Sequence, residues 1–112
     1  MAKSTENFIS ELRRGTLVLS VLSQLDEQQY GYSLRECLSD HGIEIDQGTL
    51  YPLLRRLESQ GLLDSEWVLT ESRPRRYYQL NEMGQDVLKT LVLEWQNMVA
   101  ALDQLIKDME SK

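Results

Sequence analysis

Four leucines at helical spacing constrain the fold of this chain more than any other feature. They stand at positions i, i+3, i+4 and i+7 of one segment, and they are Leu50, Leu53, Leu54 and Leu57. This spacing predicts an amphipathic helix whose apolar side must face a core. The other side of the helix carries small, aromatic and cationic residues: Thr49, Tyr51, Pro52, Arg55 and Arg56. A helix with such a free side is suited to entering a groove of DNA.

Capping residues mark the ends of this helix. Asp46 is the natural N-cap, and Gly61 followed by Leu62 fits a left-handed C-terminal cap. Pro52 lies beyond the first turn, where it removes a backbone hydrogen-bond donor. We therefore expect the helix to run between these two caps with a local bend at Pro52.

A cationic hairpin is predicted after this helix. Apolar and polar side chains alternate within residues 63–80, which indicates two strands joined at residues 70–74. Residues 73–79 carry three arginines and no acid: Arg73, Arg75 and Arg76. Because neighbouring residues of a strand point to opposite faces of the sheet, only one of Arg75 and Arg76 is expected to face DNA. A recognition helix followed by a basic hairpin is the layout of a winged helix-turn-helix, so we predict that mainly α (α+β) fold.

Two further helices are predicted before the leucine-rich helix. Ser4 or Thr5 can cap the first, whose apolar residues recur as far as Leu22. Residues 26–30 are polar and are expected to form a loop. The second helix follows Gly31 and is ended by Gly42.

Tyr32 and Ser33 open the second helix, which in a helix-turn-helix crosses the DNA backbone. A phosphate contact by these two residues is one interpretation, and simple packing of Tyr32 is an equal alternative. The arginines of the next helix also have two interpretations. Arg55 and Arg56 can hold phosphate, or one of them can pair with the carboxylate of Glu58 or Glu36 within the protein.

The last predicted helix, capped by Asn81, carries an apolar seam of three heptads. The seam consists of Leu88, Leu91, Trp95, Met98, Leu102, Leu105 and Met109. A small winged-helix body cannot cover it, and each large apolar side chain left in water forgoes about 1.5–3 kcal/mol. We therefore predict a homodimer formed through this helix. Residues 1–80 are the predicted DNA-binding unit with its N-terminal helix, and residues 81–112 the dimerisation helix, within a single compact unit.

The net charge of −6 over 112 residues opposes DNA binding and needs an explanation. The acids are concentrated away from the predicted DNA-binding elements, since residues 81–112 hold six acids against three lysines. The negative total nevertheless keeps open a second function class, a winged-helix interaction module (an antirepressor or scaffold) that has lost DNA binding.

Other function classes find little support in the sequence. No stretch is apolar enough to span a membrane, and residues 1–7 lack the apolar run of a signal peptide. Cys37 is the single cysteine, which fits a reducing cytoplasm. Cys37 and His41 stand at i and i+4, but no second cluster completes a metal site, so we expect a surface pair and no cofactor. No nucleophile motif or phosphate-binding loop indicates an enzyme.

The chain resembles the PadR family of bacterial transcription regulators over nearly its whole length. The most specific blocks are residues 30–32 (YGY), 48–58 (GTLYPLLRRLE), 61–63 (GLL) and 75–84 (RRYYQLNEMG). Asn81 replaces the threonine that is usual there, one helix cap for another. The resemblance implies a dimeric repressor with the helix from Thr49 in the major groove of an inverted-repeat operator. The resemblance and the residues on the solvent side of the predicted recognition helix together give the expected DNA contacts: Tyr32, Ser33, Gly48, Thr49, Tyr51, Pro52, Arg55, Arg56, Arg73, Arg75 and Arg76.

The family resemblance also implies a small-molecule effector. In short multidrug-responsive members, a tryptophan of the last helix meets its symmetry mate and stacks flat aromatic ligands. Trp95 stands at the matching place, with Met98 and Val99 beside it. The resemblance therefore predicts a planar aromatic effector bound at these residues, with a core position of Trp95 in the dimer as the simpler alternative.

Overall fold

Five helices and a three-stranded sheet follow one another in residues 3–112, the part of the chain that this computed structural model describes. Met1 and Ala2, with which the predicted DNA-binding unit begins, lie outside the described residues. The elements are α1 (Lys3–Arg14), α2 (Leu17–Ser23), β1 (Gln29–Tyr30), α3 (Gly31–Asp40), α4 (Gln47–Ser59), β2 (Leu63–Thr70), β3 (Arg73–Leu80) and α5 (Glu82–Glu110). This order agrees with the predicted winged helix.

The leucine stripe of α4 lies at the centre of the core, as its spacing predicts. All four leucines of the stripe are buried, and α4 continues through Pro52 to Ser59. The rest of the core comes from α2, α3 and the base of the sheet. Its buried members are Val21, Leu22, Leu25, Leu34, Leu38, Ile45, Leu63, Tyr78 and Leu80.

The predicted caps of the central helices are confirmed. The side chain of Asp46 accepts a hydrogen bond from the Thr49 amide at 2.7 Å. Gly61 has a φ of +87°, a backbone conformation that glycine adopts without strain. The Leu62 amide then donates to the Leu57 carbonyl at 3.0 Å, which closes the end of α4. Gly42 ends α3 in the same way, with a φ of +83°.

The sheet is antiparallel in the order β1-β3-β2, and its β2–β3 hairpin forms the wing. The turn is tighter than predicted, because Thr70 pairs directly with Arg73. Glu71 and Ser72, the two residues between them, have positive φ values of 51° and 67°, as two-residue hairpin turns with matching twist require. The loop expected at residues 26–30 is wrong in part, because Gln29 and Tyr30 form β1 and pair with Tyr78 and Tyr77.

The N-terminal region departs from the prediction of one helix. The chain breaks into α1 and α2 at residues 15–16, and Ser4 and Thr5 lie inside α1 rather than capping it. Leu22 of α2 is buried, whereas Phe8 and Leu12 of α1 are 70% and 75% exposed. The apolar side of α1 is therefore left uncovered by the protomer.

The long helix α5 has two differently packed parts. Asn81 caps it as predicted, accepting a hydrogen bond from the Gly84 amide at 2.9 Å. Near its start, Val87, Leu88 and Leu91 pack against the core of the same protomer. The remaining seam residues project beyond the core and are exposed: Trp95, Met98, Leu102, Leu105 and Met109. None of the helices in residues 3–112 combines the length and apolar character needed to cross a membrane.

Candidate nucleic-acid interface

A concave groove of about 680 Å³ lies between the start of α3, the exposed side of α4 and the wing. Four arginines and no carboxylate residue line it, although the whole chain carries a net charge of −6. The lining residues are Tyr30, Gly31, Tyr32, Gln47, Tyr51, Arg55, Trp67, Arg73, Pro74, Arg75, Arg76 and Tyr78. The groove is thus a local cationic concavity on an acidic protein, a charge pattern that attracts a polyanion.

Most of the free side of α4 is open to solvent. Gly48, Thr49, Pro52, Arg55 and Arg56 are all exposed on the side opposite the leucine stripe. The first three lie in the N-terminal half of the helix, the half that reaches base edges in helix-turn-helix proteins. This arrangement leaves small and apolar groups facing outward near the helix start and cationic groups one turn further on.

Tyr51 differs from its neighbours on α4, because it is partly buried and packs against the core. Its ring lies directly against Gly31, where any side-chain Cβ would overlap the ring atoms. Gly31 is therefore needed for α3 and α4 to approach each other at this point. The sequence showed the glycine between two tyrosines but gave no sign that its partner would be Tyr51.

Arg76 is bound within the protein and connects the wing to α4. Its Nη2 lies 2.9 Å from Oε1 of Glu58, and its Nε donates to Oγ of Ser65 at 3.0 Å. Ser65 in turn donates to Glu58 at 2.5 Å, which closes a three-residue network. The guanidinium also lies over the rings of Trp67 and Tyr78, at 5.8 and 5.6 Å from their centroids. The charge of Arg76 is consequently already balanced by a carboxylate.

This network corrects one alternative from the sequence. Glu58 pairs with Arg76 of the wing and not with Arg55 or Arg56. Within residues 4–112, whose side chains the structure describes, the Arg76–Glu58 contact is the one ion pair that forms, so neither Arg55 nor Arg56 pairs with Glu36. Of the two alternating wing arginines, Arg76 is thus the one held inside the protein.

Arg75 occupies a different environment on the opposite face of the wing. Its guanidinium lies 4.5 Å from the centroid of the Tyr30 ring. Tyr30 also contacts the rings of Tyr77 and Tyr32, with centroids 5.3 and 6.4 Å away. These aromatic contacts hold Arg75 at the rim of the groove without neutralising its charge.

The two residues that open α3 are placed differently. Ser33 donates a hydrogen bond to the Tyr30 carbonyl at 3.0 Å, so its hydroxyl serves the start of the helix. Tyr32 is exposed and lines the groove. The carboxylate of Glu36, one turn along, raises the pKa of the Tyr32 hydroxyl by hydrogen bonding and by its charge. The single O–H of Tyr32 is thus directed toward the Glu36 carboxylate, while its ring lines the groove.

The tyrosine at the base of the groove is uncharged at neutral pH. Burial raises the pKa of Tyr78, and the neighbouring guanidinium of Arg76 opposes that effect in part. Its ring closes the inner end of the groove against the core.

A second cleft, of about 400 Å³, lies where α5 passes α2 and the end of α3. Trp95 forms one wall, and Leu19, Ser20 and Ile43 are among the residues opposite. Met98 and Val99, predicted beside Trp95 in an effector site, do not line this cleft. Trp95 is 42% exposed, so a large part of its ring is available to a ligand or a partner.

The Cys37–His41 pair is held by contacts within the protein. The thiol of Cys37 donates to Oε1 of Gln24 at 3.1 Å, and Nδ1 of His41 lies 2.7 Å from the Cys37 carbonyl oxygen. Across residues 3–112, no group of three or more His, Cys, Asp and Glu side chains is arranged to hold a metal ion.

Comparison with known proteins gives one consistent result. Residues 18–90 match the model of the "Transcriptional regulator PadR-like family". The crystal structure of a PadR family transcriptional regulator from Eggerthella lenta is 49% identical, covers 94% of this chain and 97% of that one, and superimposes with a TM-score of 0.84. A PadR-like transcriptional regulator from Bacillus cereus is 25% identical, with coverages of 86% and 96% and a TM-score of 0.78. Transcriptional regulator Rv3488 of Mycobacterium tuberculosis is 39% identical over 70% of this chain and 74% of that protein.

Proposed function

The chain belongs to the PadR-like family of transcriptional regulators, and we propose on that premise that it is a homodimeric, sequence-specific DNA-binding repressor. Members of this family are regulators and not enzymes. The observation that carries the proposal is the charge of the groove in a chain of net charge −6: besides Arg76, which is paired with Glu58, three arginines line it, Arg55, Arg73 and Arg75. Phosphate neutralisation by such a surface supplies essentially all of the non-specific affinity of a protein for DNA and a large share of its specific affinity.

In this proposal α4 enters the major groove with its N-terminal half. Gly48 lets the backbone come close to the DNA, and Thr49, Tyr51 and Pro52 offer a hydroxyl and apolar contacts to base edges. Arg55 and Arg56, one turn further on, contact phosphates. Because base contacts specify and phosphate contacts position, substitutions at these two sets of residues are expected to have different effects on sequence preference.

The wing contributes phosphate or minor-groove contacts through Arg73 and Arg75. Arg76 acts instead as a positioning residue, because its guanidinium ties the wing to Glu58 of α4. At the start of α3, the exposed Tyr32 contacts the sugar–phosphate backbone as that helix crosses it. Ser33, whose hydroxyl is engaged with the Tyr30 carbonyl, contributes through its position at the helix start.

The exposed seam of α5 supports dimerisation. Its residues from Trp95 to Met109 are exposed in the protomer, and α1 adds the uncovered side chains of Phe8 and Leu12. A two-fold contact along α5 would place two copies of α4 on one face of a duplex, at half-sites one helical turn apart or a multiple of it. Residues 1–80 would then bind DNA, and residues 81–112 would set the distance between the two α4 helices. The protein would act in the cytoplasm, where chromosomal DNA lies.

A planar aromatic effector that binds at Trp95 between the two protomers would release the operator. A ligand that prefers one separation of the two α4 helices shifts the dimer toward that separation and away from its DNA. Trp95 would stack on the ligand, with Met98 and Val99 beside it. Quenching of Trp95 fluorescence by planar aromatic compounds, measured in the Trp67→Phe variant, is the expected result. Unchanged emission across a diverse panel would contradict the effector site.

Selection of bound duplexes from a genomic library by the purified protein tests DNA binding. We expect recovery of an inverted repeat, and loss of binding to it in the Arg55→Glu/Arg75→Glu variant. Lys89→Glu/Lys107→Glu, an equal double charge reversal on exposed α5 away from the groove, is the matched control and should bind normally. The acidic total of the chain favours one competing function, a protein-interaction module without DNA binding. In that case no sequence is enriched and both variants behave alike.

A further inference from the structure

The wing has an apolar face that the protomer leaves uncovered. Because Trp67 pairs with Arg76 and Leu69 pairs with Pro74 across the hairpin, all four side chains lie on the same face of the sheet. Further down this face, Tyr78 is buried in the core. Trp67 and Leu69 lie beyond the core, where they are 66% and 73% exposed.

This apolar face continues directly into the groove described above. Trp67 and Pro74 line the groove together with Arg55 of α4. The Arg76 guanidinium lies over the Trp67 ring, but that contact leaves two-thirds of the residue in solvent. The packing of the protomer thus accounts for a small part of this indole surface, and the cationic surroundings indicate what covers the rest.

We propose that the apolar face of the wing, centred on Trp67, is a DNA-contact surface on which the indole packs against the deoxyribose of the operator. The inference rests on the proposed DNA binding and adds an apolar wing contact to it. Duplex DNA is the occupant that fits, because the face is continuous with a groove that three arginines line besides the paired Arg76. A sugar–phosphate backbone matches such a pattern, with its apolar sugar carbons set between anionic phosphates.

The chemistry of the indole suits this contact. Its flat apolar surface covers sugar carbons, while the Nε1–H group can donate to a phosphate oxygen. Trp67 therefore contributes affinity without adding charge. The number of phosphates neutralised, which sets the salt dependence of binding, is determined by the arginines and not by Trp67.

Fluorine NMR of the full chain labelled with 5-fluorotryptophan tests the contact directly. The chain has two tryptophans, and the Trp67→Phe variant assigns their two resonances. The probe is a duplex of about 30 base pairs that carries the selected inverted repeat, long enough for half-sites one to two turns apart. On saturation with this duplex, the Trp67 resonance should shift and lose its sensitivity to exchange of H2O for D2O.

The outcomes separate this inference from the function on which it rests. If fluorescence anisotropy of the labelled duplex reports binding while the Trp67 resonance stays solvent-sensitive, the wing contact is wrong and DNA binding stands. If the duplex does not bind at all, both are wrong. If the indole becomes protected as protein concentration rises without DNA, the face belongs to a contact between copies of the chain, and the inference is wrong.

Binding measurements on variants give a second, independent test. Trp67→Ala should weaken operator binding about ten-fold or more and leave the salt dependence of binding unchanged. Arg75→Ala should instead lower the slope of log affinity against log salt concentration by about 1 for each protomer bound. Leu93→Ala, which removes a similarly exposed apolar side chain from α5 away from the groove, is the matched control and should bind normally. An unchanged affinity for Trp67→Ala would overturn the proposal. A second result would also overturn the proposal. If Arg76→Ala weakens binding as much as Trp67→Ala does, and the double variant binds no more weakly than either, then Trp67 only supports Arg76.

Discussion

Leu102→Ala is the substitution that tests the seam of α5 most cleanly. Leu102 lies at a seam position of the heptad pattern, beyond the part of α5 that packs on the core, and it is 49% exposed in the protomer. Removing most of its side chain should therefore cost the protomer little. In the proposed dimer the same side chain is covered by the partner, so the substitution should weaken association.

The expected magnitude follows from burial and symmetry. Full burial of a leucine contributes about 1.5–3 kcal/mol, so covering the exposed half of Leu102 contributes about 1 kcal/mol. A two-fold interface contains the residue twice, which gives a loss of about 2 kcal/mol. This loss corresponds to a roughly 30-fold higher dissociation constant of the dimer.

Sedimentation equilibrium over a dilution series measures that constant. Leu93→Ala is the matched control, because Leu93 is the same residue type on the same helix, is 62% exposed and lies on the side of α5 away from the seam. Leu93→Ala should dimerise like the unmodified chain. An equal effect of the two substitutions, or a monomer at all concentrations for the unmodified chain, would refute the seam.

Four stability predictions concern the elements that position the groove, each measured by urea denaturation at one protein concentration. Gly84→Ala should destabilise by about 1–3 kcal/mol, because the new Cβ would overlap the Leu62 carbonyl oxygen, which belongs to backbone and cannot move aside. Gly48→Ala, where the nearest atom is an ordinary 3.5 Å away, should be neutral or stabilise by about 0.5 kcal/mol, and a loss as large as that of Gly84→Ala would contradict this account. Asp46→Ala should cost about 1 kcal/mol through loss of the α4 cap, and no change would mean that the cap is dispensable. Glu58→Gln should lower the free energy of unfolding by less than about 1 kcal/mol, because the ion pair that it breaks is part-exposed. A larger loss would show that the network around Glu58 contributes more to stability than a part-exposed ion pair does.

Local patterns predicted the central helix and its ends well. The leucine spacing identified the buried side of α4, and Asp46 and Gly61 marked its limits because caps depend on residues within one turn. The same holds for Asn81 at the start of α5. These features were predictable since the interactions that create them are close in sequence.

Contacts between distant residues were not predictable in this way. The strand character of Tyr30 is decided by its pairing with Tyr77, far along the chain. The partner of Glu58 is Arg76 and not an arginine on its own helix, because the fold of the wing brings Ser65 and Arg76 over the end of α4. The sequence therefore indicated the charge of the candidate site but not which of its arginines are already paired.

The salt dependence of operator binding, measured by fluorescence anisotropy for the unmodified chain and for Arg55→Ala and Arg75→Ala, tests the central claim most directly. We expect log affinity to fall linearly with log salt concentration. Each substitution should lower the slope by about 1 for each protomer bound, because each protomer loses one phosphate contact. Arg76→Ala should leave the slope nearly unchanged, since its charge is already balanced by Glu58. A binding constant that does not depend on salt, or a slope that none of the groove arginines affects, would contradict the assignment of this groove to DNA.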